Sequence, residues 1–214
     1  MGMTHQPAHI YSQTGFRGRN DDGSEITATW ISPINQIWVQ VVDEAFRIRF
    51  LVQKDLTGGP ETVGFQLNFS INDGTFINVG IEGSGTAVEM RATVQPAGYD
   101  DGDNCTQQLG ASAQFIGTNL GVSEGDDSVS NDMTWPQDSF NTSEAEFEYT
   151  ILFNSNVVAI NDRIELKLFD TVSGATNEFE GGYPEVPIFT VSVGSILRLK
   201  GGTARIKGGT IQLR

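Results

Sequence analysis

The sequence predicts an all-β protein: a two-sheet antiparallel β-sandwich, jelly-roll-like or immunoglobulin-like, with a short C-terminal β repeat. Apolar and polar residues alternate in several short runs, glycine-rich turns separate these runs, and no segment shows a convincing helical period. The 13 Phe residues favour strands and the 25 Gly residues favour turns. We expect two sheets because a single sheet could not bury all of the Phe-rich faces.

The first half of the chain contains several runs that predict strands. They lie at residues 26–31, 37–42, 46–52, 63–71, 76–79 and 88–94. The alternation is clearest at 46–52, where Arg47 and Arg49 share the face opposite the apolar residues. Asn72-Asp73-Gly74 predicts a tight hairpin turn after the run at 63–71, since Asp-Gly readily adopts positive φ angles.

Residues 96–143 contain few large apolar side chains, and this composition predicts a long excursion between strands. Strands resume at 145–153 and 164–168. Glu144, Glu146 and Glu148 lie opposite the apolar face of the first of these, and we interpret them as a solvated strand face. The last predicted strand, at 186–193, has Pro184 and Pro187 near its start, which is typical of an edge strand.

Three segments follow from this pattern. Residues 1–15 are predicted to be a polar N-terminal arm, residues 16–193 the β-sandwich domain, and residues 194–214 the C-terminal Gly-Gly-Thr repeat. In the repeat, Lys200-Gly201-Gly202-Thr203 recurs seven residues later as Lys207-Gly208-Gly209-Thr210. Two repeats are too few to bury a core alone. We therefore expect residues 194–214 to dock on the body or on other subunits, for example around a threefold axis.

Charge is distributed unevenly along the chain. The net charge is −14, yet the last twenty residues contain no acid and five bases: Arg198, Lys200, Arg205, Lys207 and Arg214. The remaining residues contain eight bases and 27 acids, a net charge of −19. Such an acidic body would repel nucleic acid. The five basic residues are candidate partner contacts, for instance with another copy's acidic body, although a solvated strand face explains them equally well.

The environment of the protein can also be predicted. Cys105 is the single cysteine, which fits assembly in a reducing host cytoplasm. We see no signal peptide in the first residues and no apolar stretch of about 18 residues, so no membrane span is expected.

Candidate catalytic chemistry is sparse. His5 and His9, the only histidines, both lie in the predicted arm, which argues against a nucleophilic triad and against a Cys/His zinc site. Glu144, Glu146 and Glu148 could act as a glycosidase pair, but we favour the solvated face. The acidic loops at 20–22, 100–104 and 124–127 lack EF-hand spacing. We expect no enzyme activity, no cofactor and no metal site.

Among the tryptophans, Trp30 is predicted to be a core residue and Trp135 an exposed partner contact that could also stack on a sugar.

Several elements occur together in a recognisable order. They are YSQTGFRGRNDDGSEITATW at 11–30, FRIRFLVQ at 46–53, GFQLNFSINDGTFINV at 64–79, CTQQLG at 105–110 and EAEFEYTILFNSNVVAINDRIELKLFD at 144–170. This succession resembles a β-sandwich module of tailed-bacteriophage structural proteins, common in environmental phage sequences. The resemblance covers about residues 11–193. It implies a role in the virion and brings no catalytic residues, whereas the Gly-Gly-Thr repeat departs from the pattern.

The function expected from these observations is that of a virion structural protein, foremost a capsid-decoration or head-fibre component. It would act by protein–protein adhesion to other copies of itself and to other virion proteins. The alternative is a carbohydrate-binding module of a phage tail or fibre that attaches to a host glycan.

Overall fold

The structure is a computed structural model that describes residues 10–22, 27–55, 64–91, 144–171 and 177–191. It also describes the backbone of residues 123–124, 132–134, 197–199 and 202–204. Within these residues the chain is all-β, and two sheets pack face to face as a sandwich, as the sequence predicts. The described residues form no helix long and apolar enough to span a membrane.

Sheet 1 has the strand order β1-β2-β8-β5, with β6 beside β8, and sheet 2 has the order β10-β9-β3-β4, with β11 beside β9 and β7 beside β3. All of these neighbours are antiparallel except β6 and β8. The strands of sheet 1 are β1 (Tyr11–Asn20), β2 (Phe46–Lys54), β5 (Val88–Met90), β6 (Ser123–Glu124) and β8 (Glu144–Phe153). Those of sheet 2 are β3 (Gly64–Ile71), β4 (Ile77–Asn78), β7 (Asp132–Thr134), β9 (Arg163–Asp170), β10 (Asn177–Glu178) and β11 (Ile188–Thr190).

The core lies between the two sheets and is rich in aromatic rings. Phe46, Phe153 and Phe189 form one group of rings, with Phe153 at 5.3 Å from each of the other two centroids. Phe65 lies 5.1 Å from both Tyr11 and Phe147 in a second group. Burying an aromatic or large aliphatic side chain stabilises the fold by about 1.5–3 kcal/mol. The inward faces of the alternating strands therefore supply most of the driving force.

These two groups of rings define two ends of the sandwich. At the Phe153 end, β1 finishes at Asn20, β2 starts at Phe46 and β9 starts at Arg163. At the opposite Tyr11 end, β1 pairs with Lys54 and Phe65 pairs with Asp170. The chain enters the sandwich at the Tyr11 end. It leaves at Val191, whose amide bonds the carbonyl of Asp162 at the Phe153 end.

Strand β1 begins at Tyr11, inside the segment that the sequence analysis assigns to the arm. Its polar stretch is extended because it pairs with β2 along its whole length, with a register shift between Gln13 and Gly15. Gln13 is fully buried in spite of its polarity. This strand is difficult to predict from the sequence, because apolar and polar residues alternate less regularly along it than along β2 or β3.

Two other predicted strands differ from the structure. Residues 37–42 form an irregular connection with a one-residue β-bridge at Val41, and in the described part of 26–31 only Trp30 makes a β-bridge, with Arg19. The segment 29–36 instead lies along the outer edge of β1, where Ile31 donates to the carbonyl of Gly18 and Asn35 to that of Phe16. The apolar residues of these segments pack against β1 and the core. A run of apolar residues looks the same in the sequence whether the buried segment is a strand or an irregular connection, and these runs therefore predicted strands.

The remaining predicted strands are largely confirmed. The turn after β3 has positive φ at Asn72 and Asp73, one residue earlier than the predicted Asp-Gly pair. Strand β11 covers three residues of the predicted 186–193 and, within the described residues, pairs only with β9, so it is an edge strand as expected. In the C-terminal repeat, β12 (Leu197–Leu199) and β13 (Gly202–Ala204) form a hairpin that pairs with neither main sheet.

Candidate functional site

The outer face of sheet 1, which points away from sheet 2, carries four arginines on two adjacent strands. Arg17 stands opposite Arg49, and Arg19 stands opposite Arg47. Like charges placed directly opposite each other destabilise a sheet unless other groups neutralise them. Three of these side chains, Arg19, Arg47 and Arg49, are at most 1% exposed, so water does not screen their repulsion.

Carboxylates from β8 and from the segment after β1 neutralise the three buried arginines. Glu148 accepts from Arg49 at 2.7 Å and from Arg19 at 3.3 Å. Glu146 pairs with Arg49 at 3.1 Å, and Asp21 pairs with Arg47 at 2.6 Å. We call Arg19, Arg47, Arg49, Asp21, Glu146 and Glu148 the buried ionic network. Its three positive and three negative charges balance.

This network corrects the prediction that Glu144, Glu146 and Glu148 form a solvated face. Glu146 and Glu148 are 0% exposed, whereas Glu144 is partly exposed and accepts from Gln53 at 2.7 Å. The period of two placed these residues on one face correctly, but it carries no information on whether that face is covered. Because both buried carboxylates face arginines and are shielded from solvent, their geometry does not provide a glycosidase pair open to a dissolved sugar chain.

Trp30 closes over part of the same face. The guanidinium of Arg17 lies 4.3 Å from the Trp30 ring centroid, and that of Arg19 lies 4.8 Å away. Such cation–π contacts contribute about 0.5–2 kcal/mol each. The pKa of Arg17 is lowered, first by burial and then by the neighbouring charge of Arg19. Trp30 is thus a half-buried cover of the arginines and not the core residue that the sequence analysis predicts.

The network could have been found by comparing strands in pairs. Arg17 and Arg19, Arg47 and Arg49, and Glu146 and Glu148 each have the same spacing of two residues. On paired strands this spacing brings the charges side by side. The alternation within any single strand does not show this arrangement, which becomes visible only when the pairing of the strands is known.

Three other carboxylates tie loops together instead of lying free. Asp22 accepts from the amide and hydroxyl of Thr29 at 2.9 and 2.6 Å, and Asp43 accepts from the amide and hydroxyl of Ser155 at 2.9 and 2.5 Å. Asp162 accepts from the amide of Ala159 at 2.7 Å. In each case these hydrogen bonds hold the pKa of the carboxyl below its ordinary value.

These contacts bear on the calcium candidates. In the loop at 20–22, Asp21 is paired with Arg47 and Asp22 is bonded to Thr29. The loops at 100–104 and 124–127 lie outside the described residues, apart from the backbone of Glu124. Within the part of the chain that the structure describes, no group of three or more His, Cys, Asp or Glu side chains could hold a metal ion.

A groove runs along one side of the sandwich, between the edge of sheet 1 and the edge of sheet 2. Its volume is about 500 Å³ and it is open to solvent. The lining residues come from β1, from the segment beside it, and from β11 with the residues before it: Phe16, Asn35, Gln36, Ile37, Glu185, Val186 and Ile188. We call this the side groove. Four of its seven lining residues are apolar, and this mixed lining beside an edge strand makes it a candidate contact surface.

The Phe153 end of the sandwich carries exposed aliphatic side chains on three loops. Val39 is 76% exposed, Val157 and Ile160 are 47% and 57% exposed, and Ile81 is 49% exposed. The loops are held together, because Asp43 bonds Ser155 and the amide of Asn154 bonds the carbonyl of Ala87. We call Val39, Ile81, Val157 and Ile160 the apolar end. Exposed aliphatic groups on loops that are hydrogen-bonded to one another are a candidate protein-contact surface.

The predicted contact residues Trp135, Lys200, Arg205, Lys207 and Arg214 lie outside the described residues. Arg198 lies in β12, where only the backbone is described. Their predicted role in partner contacts stays a prediction. The structure adds the side groove and the apolar end, which the sequence alone does not reveal because both depend on how distant segments meet.

No family model matches the chain, and searches of curated proteins and of solved structures likewise found no match.

Proposed function

We propose that this chain is a structural protein of a virus particle, in first place a capsid-decoration or head-fibre component of a tailed bacteriophage. The observation that carries the proposal is the apolar end: a set of exposed aliphatic side chains on loops that are tied to one another. The resemblance of residues 11–193 to phage structural modules supplies the viral context. Together these support adhesion to other virion proteins and to further copies of the chain.

The architecture supports a rigid adhesive body. Both faces of sheet 1 hold buried side chains, the inner face in the core and the outer face in the buried ionic network. Its long strand β1 is covered along its edge by residues 29–36 and by Gly181 and Gly182. A body of this kind presents its loops with little rearrangement, so little conformational entropy is lost on binding.

The experiment compares particles of the virus that carries the chain, made with wild-type protein or with variants. Mass spectrometry of purified particles should detect the wild-type chain. Val39→Asp and Ile160→Asp should each lower the number of copies per particle, because a buried carboxylate at a contact costs free energy. Ile10→Asp is the matched control, since Ile10 is 37% exposed but lies at the Tyr11 end.

Absence of the chain from wild-type particles would overturn the proposal. So would unchanged copy numbers for both variants of the apolar end, because the surface that carries the proposal would then have no role in attachment.

The alternative function, a carbohydrate-binding module for host attachment, depends on Trp135, which lies outside the described residues. Of the described tryptophans, Trp30 faces arginines and Trp38 packs on the core at 4.8 Å from Phe189. Binding of the assembled protein on a glycan array, lost in Trp135→Ala, is the result that would favour this alternative.

A further inference from the structure

The two sheet edges that border the side groove differ in how they are covered. The edge of β1 bonds to neighbouring segments at several points, from Gly182 beside Gln13 to Thr29 beside Asn20. The edge of β11 has no comparable cover among the described residues, where β11 pairs only with β9. An edge of this kind is a template for one more strand.

The hydrogen-bond pattern shows which groups of β11 face outward. The carbonyl of Pro187 accepts from the amide of Leu166 in β9, and the amide of Val191 donates to the carbonyl of Asp162, directly before β9. Because alternate residues of an antiparallel strand face the same neighbour, the backbone groups of Ile188 and Thr190 point away from β9. An extended peptide could therefore pair with β11 and place side chains in the groove.

The apolar and charged groups of the groove define the peptide that fits. Phe16, Ile37, Val186 and Ile188 offer apolar contacts, and Glu185 is the charged member of the lining. A suitable strand would present small or medium aliphatic groups on one face and carry a basic residue nearby.

The last five residues of the chain have this pattern. Ile211 and Leu213 alternate with Thr210, Gln212 and Arg214, so an extended conformation puts both aliphatic groups on one face. The last twenty residues contain five bases and no acid, against a net charge of −19 for the rest of the chain. Charge complementarity therefore favours contact between this segment and a body of the same kind.

We propose that the side groove and the edge of β11 receive residues 210–214 of a second copy, added to sheet 2 as an extra strand. A second copy is the source because the described backbone of the C-terminal repeat pairs only with itself, in the β12–β13 hairpin, and with no strand of the body. This inference rests on the proposed function and deepens it, since it names the surface and the segment through which copies join.

The test is disulfide trapping between two full-length proteins, both in a Cys105→Ser background. One protein carries Ile37→Cys in the groove lining and the other carries Leu213→Cys, so that a mixed disulfide is intermolecular by construction. The control replaces Ile37→Cys with Ile77→Cys on β4, because Ile77 is 52% exposed, close to the 53% of Ile37, and lies outside both the groove lining and the apolar end. Mixed dimers are quantified on non-reducing gels and by mass spectrometry.

The mixed disulfide should form on the order of tenfold faster with Cys at position 37 than with Cys at position 77, because docking raises the local thiol concentration. Ile211→Asp in the second protein should remove this difference. Equal rates at the two positions would overturn the inference. A chain carrying both Ile37→Cys and Leu213→Cys that closes mainly within itself would overturn it too, since the segment would then come from the same copy.

The outcome separates this inference from the proposed function. If particles contain the chain but trapping fails, the virion role stands and the side groove is not where copies join. If trapping succeeds but particles lack the chain, the joining of copies is established for the purified protein and the virion role falls.

Discussion

The side-chain oxygen of Gln13 accepts a hydrogen bond from the backbone amide of Leu168 at 3.0 Å, although 155 positions separate the two residues. Gln13 lies in sheet 1 and Leu168 in sheet 2. The side-chain nitrogen of Gln13 donates to the carbonyl of Glu185 at 2.9 Å. The contact fills the gap along β9 between the stretch paired with β11 and the stretch paired with β10.

Replacing Gln13 by methionine should destabilise the fold by about 1–3 kcal/mol, because the amide of Leu168 would remain buried without a partner. Methionine keeps the volume and removes both hydrogen bonds. Urea unfolding followed by fluorescence measures the change. Gln53→Met is the control, since Gln53 is exposed and its bond to Glu144 is a surface contact. Equal losses for the two variants would contradict a special role for Gln13.

Glu148→Gln should destabilise the protein by about 3–5 kcal/mol, since it leaves the buried Arg19 and Arg49 with too little negative charge. The side chain keeps its shape, so packing changes little. The matched control is Glu165→Gln on β9, whose partners Arg163 and Lys167 lie nearer the surface; its effect should stay within about 1 kcal/mol. Thermal or chemical unfolding of the two variants gives the comparison. A small effect for Glu148→Gln would mean that water reaches the network.

Stability should fall as the solution is acidified through the range in which Asp43 takes up a proton. The hydroxyl and amide of Ser155 hold the pKa of Asp43 below its ordinary value, so the folded state binds fewer protons than the unfolded state. The stabilisation is therefore complete above the unfolded pKa of about 4 and is lost as pH falls through the lower folded pKa.

The variant Asp43→Asn isolates this contribution. It should be less stable than wild type near neutral pH, and the difference should shrink as pH falls from about 4 through the lower folded pKa of Asp43, below which the wild-type carboxyl is protonated as well. Urea unfolding at a series of pH values measures it. A constant difference across the series would show that the charge of Asp43 is not the source.

Gly18→Ala should destabilise the protein by about 1–3 kcal/mol through overpacking. A Cβ atom at position 18 would overlap the ring of Trp38, which packs between β1 and the rings of Phe46 and Phe189. Gly15→Ala is a milder comparison, since the nearest atom to its new Cβ, the Cβ of Leu51, would lie at 3.3 Å. Thermal unfolding should rank Gly18→Ala below Gly15→Ala, and the reverse order would show that Trp38 can move aside.

The fold class could be read from the sequence because the core strands follow a strict period. In β2, β3, β8 and β9, apolar residues at every second position reach the core, as predicted. The period failed where polar side chains were buried for other reasons. Gln13 is buried by hydrogen bonds to distant backbone, and Glu146 and Glu148 are buried by arginines on the neighbouring strand.

The candidate surfaces were harder to predict. The side groove joins Phe16, Ile37 and Ile188, and the apolar end joins three separate loops. Such surfaces depend on the pairing of strands that are far apart in sequence. The viral role predicted from the resemblance and the contact role of the basic C-terminal residues both stay predictions.

The positions at which the chain enters and leaves the body have a mechanical consequence. Tyr11 lies at one end of the sandwich and Val191 at the other. Tension applied between the two termini therefore runs parallel to the strands and shears the β1–β2 ladder, whose hydrogen bonds bear the force together instead of opening one after another. Forced unfolding is governed by the unfolding rate, and this geometry slows it. The body is suited to transmit a pull along its length.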